Sequence, residues 1–91
     1  LQARPGVEVI GLPATGGRVD LDALLAELGR RQVNELLVEA GAGLAGAFVA
    51  AGRVDELVVY LAPVLLGSAA RPLLELPIPG MAGRRGLEIT D

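Results

Sequence analysis

Hydrophobic and polar positions fall in short blocks that predict strands and helices in turn. Residues 7–10 are a β-branched run that Gly11 and Pro13 end, which indicates a strand followed by a loop over residues 13–17. Residues 21–28 then carry apolar side chains with the i, i+3, i+4, i+7 spacing of an amphipathic helix. This stripe consists of Leu21, Leu24, Leu25 and Leu28.

Polar residues mark the ends of this first helix. Asp20 can accept a hydrogen bond from the first free N–H groups, and Asp22 complements the positive helix start. Gly29 is a candidate terminator, and the pair Arg30 and Arg31 suits the negative end. We therefore expect a helix that begins after Asp20 and ends near Gly29.

The second half of the chain predicts more strands and one more helix. Residues 36–38 form a short apolar run typical of a strand buried on both faces, and residues 54–62 form the longest strand candidate. Between them, residues 43–51 predict a helix of small side chains that Gly52 ends. Residues 86–91 alternate as a half-buried strand does. Strands separated by helices predict an α/β fold with a mainly parallel sheet.

Composition excludes several kinds of chemistry. The 91 residues include no Cys and no His, and all 8 basic residues are Arg, so no metal site, thiol nucleophile, Ser-His-Asp triad or Schiff-base lysine is expected. The net charge is −3 and only 2% of residues are aromatic, which argues against nucleic-acid binding. The longest uncharged stretches, 57–70 and 40–52, fall short of the ~20 residues of a membrane span. We expect a cytoplasmic protein without a secretory signal, and a piece of a longer chain, since Leu1 stands where Met would.

Three glycines form the most informative motif. Gly41, Gly43 and Gly46 make a G-x-G-x-x-G pattern after a predicted strand and at the start of a predicted helix. Glycines let the backbone approach an anion, and the free N–H groups of a helix start bind phosphate. The alternative is that small residues here only pack a helix onto a sheet. A Rossmann fold would also need an acid about 20 residues further on, and residues 61–66 contain none.

Glu39 is the second candidate. A carboxylate directly after residues 36–38 would lie at the carboxyl end of a parallel strand, where open α/β sheets bind ligands. The alternative is a strand-end acid that faces water.

Four blocks of sequence resemble the bacterial riboflavin-biosynthesis reductase, the carboxyl-terminal domain of the bifunctional pyrimidine deaminase/reductase. The resemblance covers nearly the whole chain from about Val7. Its blocks are Val38-Glu39-Ala40-Gly41, Leu44-Ala45-Gly46-Ala47-Phe48, Val54-Asp55-Glu56-Leu57 and Ala62-Pro63-Val64-Leu65-Leu66-Gly67.

The resemblance implies a fold, a reaction and a site. The fold would be dihydrofolate-reductase-like, three-layer α/β/α, with a mainly parallel sheet and antiparallel strands at the carboxyl end. The reaction would be NADPH-dependent reduction of 5-amino-6-(5-phosphoribosylamino)uracil, with hydride passing to C1 of the ribosyl group. Glu39 would contact the substrate, and relatives dimerise through this domain. The cofactor phosphates would be held by Gly41, Ala42, Gly43, Leu44, Ala45, Gly46 and Ala47.

Two departures from the family carry further expectations. Many relatives have Glu-Gly-Gly where this chain has Glu39, Ala40 and Gly41, and a cis Ala40–Gly41 peptide is predicted by analogy with related reductases. The upstream half of the reductase domain and the zinc deaminase domain are missing, so we expect this piece to be inactive alone. Two other readings stay open: a Rossmann-type nucleotide module without reductase activity, and a dimerising fragment that uses Val58, Tyr60 and Leu65.

Overall fold

A computed structural model describes residues 5–90, which belong to two compact units, Leu1–Leu37 and Val38–Asp91. The first unit contains a β-hairpin and one α-helix, and the second contains one α-helix and a short 3-10 helix. The elements are β1 (Ala14–Thr15), β2 (Arg18–Val19), α1 (Leu21–Arg30), α2 (Ala42–Ala50) and the 3-10 helix Met81–Gly83.

The hairpin replaces the predicted loop over residues 13–17. β1 and β2 pair antiparallel, with Ala14 opposite Val19 and Thr15 opposite Arg18. Gly16 and Gly17 at the turn have φ values of 60° and 77°. Positive φ at both central positions is the geometry of a type I′ turn, whose twist matches that of the two strands it connects. The Gly-Gly pair was therefore a hairpin signal that the loop prediction missed.

The start of α1 confirms the predicted cap. A side-chain oxygen of Asp20 accepts a hydrogen bond from the N–H of Ala23 at 3.0 Å, and its other oxygen accepts one from the Thr15 hydroxyl at 3.0 Å. These two bonds, the backbone one above all, hold the pKa of Asp20 below its ordinary value. The N–H of Asp20 also donates to the carbonyl of Pro13 at 2.9 Å. The cap residue thus ties the helix start to the hairpin.

α1 ends at Arg30, close to the predicted position, but Gly29 does not terminate it. Gly29 lies inside the helix, and Gln32 takes the left-handed conformation that ends it, with φ of 63°. The N–H of Gln32 donates to the carbonyl of Gly29, and that of Val33 to the carbonyl of Leu28, both at 3.0 Å. This pair of bonds is a Schellman motif, which usually places glycine where Gln32 stands. Gly29 is therefore not the terminator, because the motif uses a residue three positions later.

An exposed ion-pair cluster extends from the end of α1. Arg31 donates to both carboxylate oxygens of Glu8 at 2.8 Å and to Glu27 at 2.8 Å, and Arg30 also pairs with Glu27. The hydrogen bonds from Arg31 lower the pKa of Glu8 and are the largest cause of the lowered pKa of Glu27. They also raise the pKa of Arg31. The cluster joins the segment before the hairpin to the last turn of α1.

None of the four predicted strands forms within residues 5–90, whose sheet consists of β1 and β2 alone. Residues 36–38 are not buried on both faces, since Leu37 is 77% exposed, and in the segment 54–62 Tyr60 is 95% exposed. Position 91 of the last predicted strand lies outside the described residues. A strand exists only where a second strand takes up its N–H and C=O groups, and these segments have no such partner among the described residues.

The second helix lies one residue from its predicted position. α2 spans Ala42–Ala50, against 43–51 expected, and its buried residues are Gly46 and Phe48. Gly52 has a φ of 70°, and its N–H donates to the carbonyl of Val49 at 3.0 Å, while that of Arg53 donates to the carbonyl of Phe48 at 3.1 Å. The prediction that Gly52 ends this helix is confirmed. No helix within residues 5–90 has the length and apolar character needed to cross a membrane.

Candidate functional site

The glycine segment forms the start of α2, as the sequence predicts. Gly41 is the N-cap, in an extended conformation with φ of −68° and ψ of 173°, and its carbonyl accepts from the N–H of Ala45 at 3.1 Å. No side chain among the described residues caps this end. Helix geometry leaves the N–H groups of Ala42, Gly43 and Leu44 without a partner inside the helix. Three donors and the positive end of the helix dipole therefore coincide at this turn.

The space around Gly41 is open. A Cβ built on Gly41 would meet no heavy atom within 4 Å, and the residue is exposed. That side of the helix start is therefore open to a ligand, and free N–H groups at a helix start are a common binding site for phosphate groups. An anion bound here would be held by backbone N–H groups, because residues 41–47 include no cationic side chain.

Gly46 has a different environment. A Cβ on Gly46 would lie 2.8 Å from the carbonyl carbon and 2.9 Å from the nitrogen of Glu75, and closer still to the Glu75 carbonyl oxygen. The N–H of Glu75 also donates to the carbonyl of Ala42 at 3.0 Å. The backbone at residue 75 thus crosses α2 directly over Gly46. The third glycine of the motif allows this close approach, although residue 75 belongs to no strand, so α2 packs here against a loop segment and not against the sheet of the predicted alternative.

Glu39 lies two residues before the N-cap Gly41 and is exposed. Its position puts a carboxylate on the chain that leads into the glycine turn, but residues 36–38 form no strand, so Glu39 does not stand at the carboxyl end of a parallel strand as predicted. The predicted cis peptide at Ala40–Gly41 is wrong, because residues 5–90 contain no cis peptide bond. The Ala40–Gly41 linkage is trans.

Two residues near α2 were missed by the sequence analysis. Glu75 belongs to a segment without hydrophobic periodicity, and only the fold brings it to the glycine turn. Arg85 is the second missed residue. Its guanidinium donates to the carbonyl of Val49 at 2.9 Å and to that of Ala50 at 3.4 Å, so a cation lies at the negative end of α2.

Asp55 and the apolar side chains suggested for assembly lie away from the glycine turn. Asp55 lines a cleft of about 240 Å³ at the carboxyl end of α2, together with Val49, Gly52 and Arg85. Val58, Tyr60 and Leu65 are 60%, 95% and 99% exposed. The apolar side chains suggested for assembly are therefore accessible, and none of them contributes to the turn at Gly41.

Comparison with known proteins gives concordant matches. A family model described as the RibD C-terminal domain matches residues 2–79. The chain is 52% identical over 71 residues to the riboflavin biosynthesis protein RibD of Escherichia coli (strain K12), covering 78% of this chain and 19% of that protein. It is 56% identical over 57 residues to RibD of Haemophilus influenzae, covering 63% and 15%.

A third relative carries the name of a reductase alone. The 5-amino-6-(5-phosphoribosylamino)uracil reductase of Buchnera aphidicola (subsp. Acyrthosiphon pisum) is 38% identical over 56 residues, covering 62% of this chain and 27% of that protein. The chain spans between about one seventh and one quarter of the length of these three relatives. The match over residues 2–79 covers most of the 91 residues, and the chain therefore belongs to the RibD C-terminal domain family.

Proposed function

We propose that this chain is the carboxyl-terminal part of an NADPH-dependent reductase domain that reduces 5-amino-6-(5-phosphoribosylamino)uracil in riboflavin biosynthesis. Family membership and the reductase name of the Buchnera relative support the reaction. One observation carries the cofactor assignment: the open, uncapped helix start at Gly41. A nucleotide diphosphate is the ligand class that such a turn serves.

In this proposal the residues of the glycine turn have different roles. The N–H groups of Ala42, Gly43 and Leu44 donate to phosphate oxygens, and Gly41 keeps the approach free of a side chain. Ala45, Gly46 and Ala47 act behind them, where Gly46 admits the backbone of residue 75. The bound cofactor would supply the hydride, and the protein supplies binding and orientation.

Glu39 is proposed to contact the pyrimidine substrate. Support comes from its exposed position two residues before the turn, where its carboxylate can accept hydrogen bonds from ligand N–H or O–H groups. Replacing Glu39 by Gln in the full-length reductase should raise KM for the substrate more than it raises Kd for NADPH. Equal effects on KM for the substrate and on Kd for NADPH would contradict a substrate-binding role for Glu39.

The larger architecture is part of the same proposal. Family membership supports a dihydrofolate-reductase-like domain with three α/β/α layers, to which these two helices and the hairpin belong. A homodimer is supported by the exposure of Val58, Tyr60 and Leu65, since apolar side chains favour contact with a protein surface. Sedimentation over a range of concentrations tests the dimer, and a monomer throughout would contradict it. A cytoplasmic location stays a prediction.

The cofactor site can be tested by two nearly isosteric substitutions at one position. Gly41 has φ of −68° and open space around it, so a side chain fits without strain. Asp and Asn are both good N-caps, and either would engage the free N–H groups and stabilise the helix start. Only Asp adds a negative charge. Calorimetric titration of the full-length protein with NADPH compares Gly41→Asn and Gly41→Asp with the wild type.

The expected order of NADPH affinity is wild type, then Gly41→Asn, then Gly41→Asp, with at least tenfold between the wild type and the Asp variant. Thermal unfolding should show both variants at least as stable as the wild type, which separates lost binding from lost folding. Unchanged affinity in the Asp variant would show that the phosphates bind elsewhere.

A further inference from the structure

Glu75 presents a carboxylate to the glycine turn. Its Oε2 lies 3.6 Å from the point where a Cβ on Gly43 would stand, a distance of ordinary contact. Gly43 carries one of the three N–H groups that helix geometry leaves without an intrahelical partner. A negative side chain from a distant part of the sequence therefore stands beside the donors that the proposed function assigns to phosphate.

The backbone holds this carboxylate in place. The N–H of Glu75 donates to the carbonyl of Ala42 at 3.0 Å, and the Glu75 backbone packs against Gly46 without room for a Cβ. These two contacts fix residue 75 over the first turns of α2. Its side chain is exposed, so the carboxylate can move while the backbone stays.

We propose that Glu75 sets the affinity of the glycine turn for anions, lowering it by charge repulsion and by occupying the approach beside Gly43. This proposal rests on the proposed function, since it takes the turn as the place where the cofactor phosphates bind. The carboxylate is attracted to the positive helix start when no ligand is present. An incoming diphosphate brings like charge to the same place, so the side chain must rotate away or remain under repulsion.

The geometry also defines which ligands are affected. Repulsion acts on the anionic groups at the helix start and depends on their charge, so inorganic pyrophosphate and NADPH should respond in the same direction. Salt screens exposed charges, so the effect should shrink as ionic strength rises from about 0.01 M to about 1 M.

The test compares Glu75→Gln with a matched loss of charge elsewhere. Asp55→Asn serves as the control, because Asp55 lines the cleft beside Val49 and Gly52, at the other end of a helix roughly 13 Å long. Calorimetric titration of the full-length protein with NADPH, and separately with inorganic pyrophosphate, gives Kd for the wild type and both variants. Circular dichroism confirms that each variant is folded.

We expect Glu75→Gln to bind both probes about five- to tenfold more tightly at low salt, the factor of two exposed unit charges about 4 Å apart in the high dielectric of water. Asp55→Asn should stay within about twofold of the wild type. Equal or weaker binding by Glu75→Gln, while Gly41→Asp still weakens binding at least tenfold, would overturn the role of Glu75 and leave the cofactor site standing. If Gly41→Asp has no effect, the phosphates bind elsewhere and the cofactor site of the proposed function fails.

Discussion

Gly46→Ala tests the close crossing of residue 75 over α2. The new Cβ would lie 2.8 Å from the carbonyl carbon of Glu75, whereas carbon atoms in contact prefer about 3.5–4.0 Å. The shortfall is therefore about 0.7 Å against backbone atoms, which cannot swing aside as a side chain does. Segment 74–76 must move away from the helix, and the bond between the Glu75 N–H and the Ala42 carbonyl is stretched or lost.

The expected cost can be worked from these contacts. Overpacking costs about 1–3 kcal/mol, and a lost backbone hydrogen bond adds about 1 kcal/mol. The higher helix propensity of alanine relative to glycine offsets about 1 kcal/mol of this cost. The free energy of unfolding should therefore fall by about 1–3 kcal/mol.

Gly43→Ala is the matched control, since it makes the same chemical change three residues earlier in the same helix. Its Cβ would meet only a carboxylate oxygen at 3.6 Å, an ordinary contact at the tip of a movable side chain. This variant should be as stable as the wild type or more stable by up to about 1 kcal/mol. Urea unfolding followed by circular dichroism measures both. If Gly46→Ala is as stable as Gly43→Ala, residue 75 does not cross the helix as the structure describes.

Three further predictions concern the helix ends and the acidic side chains. Gln32→Gly should raise the free energy of unfolding by about 1 kcal/mol because glycine adopts positive φ without a Cβ clash. Gly52→Gln, the reciprocal change at the end of α2, should lower the free energy of unfolding by a similar amount. Shifts of the same sign for both variants in urea unfolding would contradict this. The pKa values of Glu8 and Glu27 are lowered by hydrogen bonds from an arginine, so the stability they contribute is present above pH 4.5 and is lost as pH falls through their folded-state values. Acid titration of the helical signal should show this loss, and a steady signal down to pH 2 would refute it. Arg85→Ala should destabilise by about 0.5–1 kcal/mol, since the guanidinium bonds to the carbonyls of Val49 and Ala50 and the cation at the negative end of α2 are lost; a thermal-unfolding midpoint unchanged from the wild type would refute this role.

The sequence by itself predicted the features that depend on neighbouring residues. The leucine spacing and Asp20 predicted α1 and its cap, and the small residues and Gly52 predicted α2 and its end. The motif at Gly41 also predicted that the glycines open a helix. These features follow from hydrogen bonds within one turn or one helix, and the residues that form them stand within a few positions of each other.

Tertiary structure decided what depends on distant partners. The β-branched segments became no strands among residues 5–90, because a strand needs a second strand to bond with, and periodicity does not supply one. Tertiary structure also brought Glu75 over Gly46 and beside Gly43, and Arg85 to the end of α2. These contacts join positions about 30 residues or more apart, and nothing in the local pattern of either partner encodes them. The glycine motif therefore predicted the turn, while the segment at Glu75 that crosses α2 determined how the helix packs and which charge lies beside the turn.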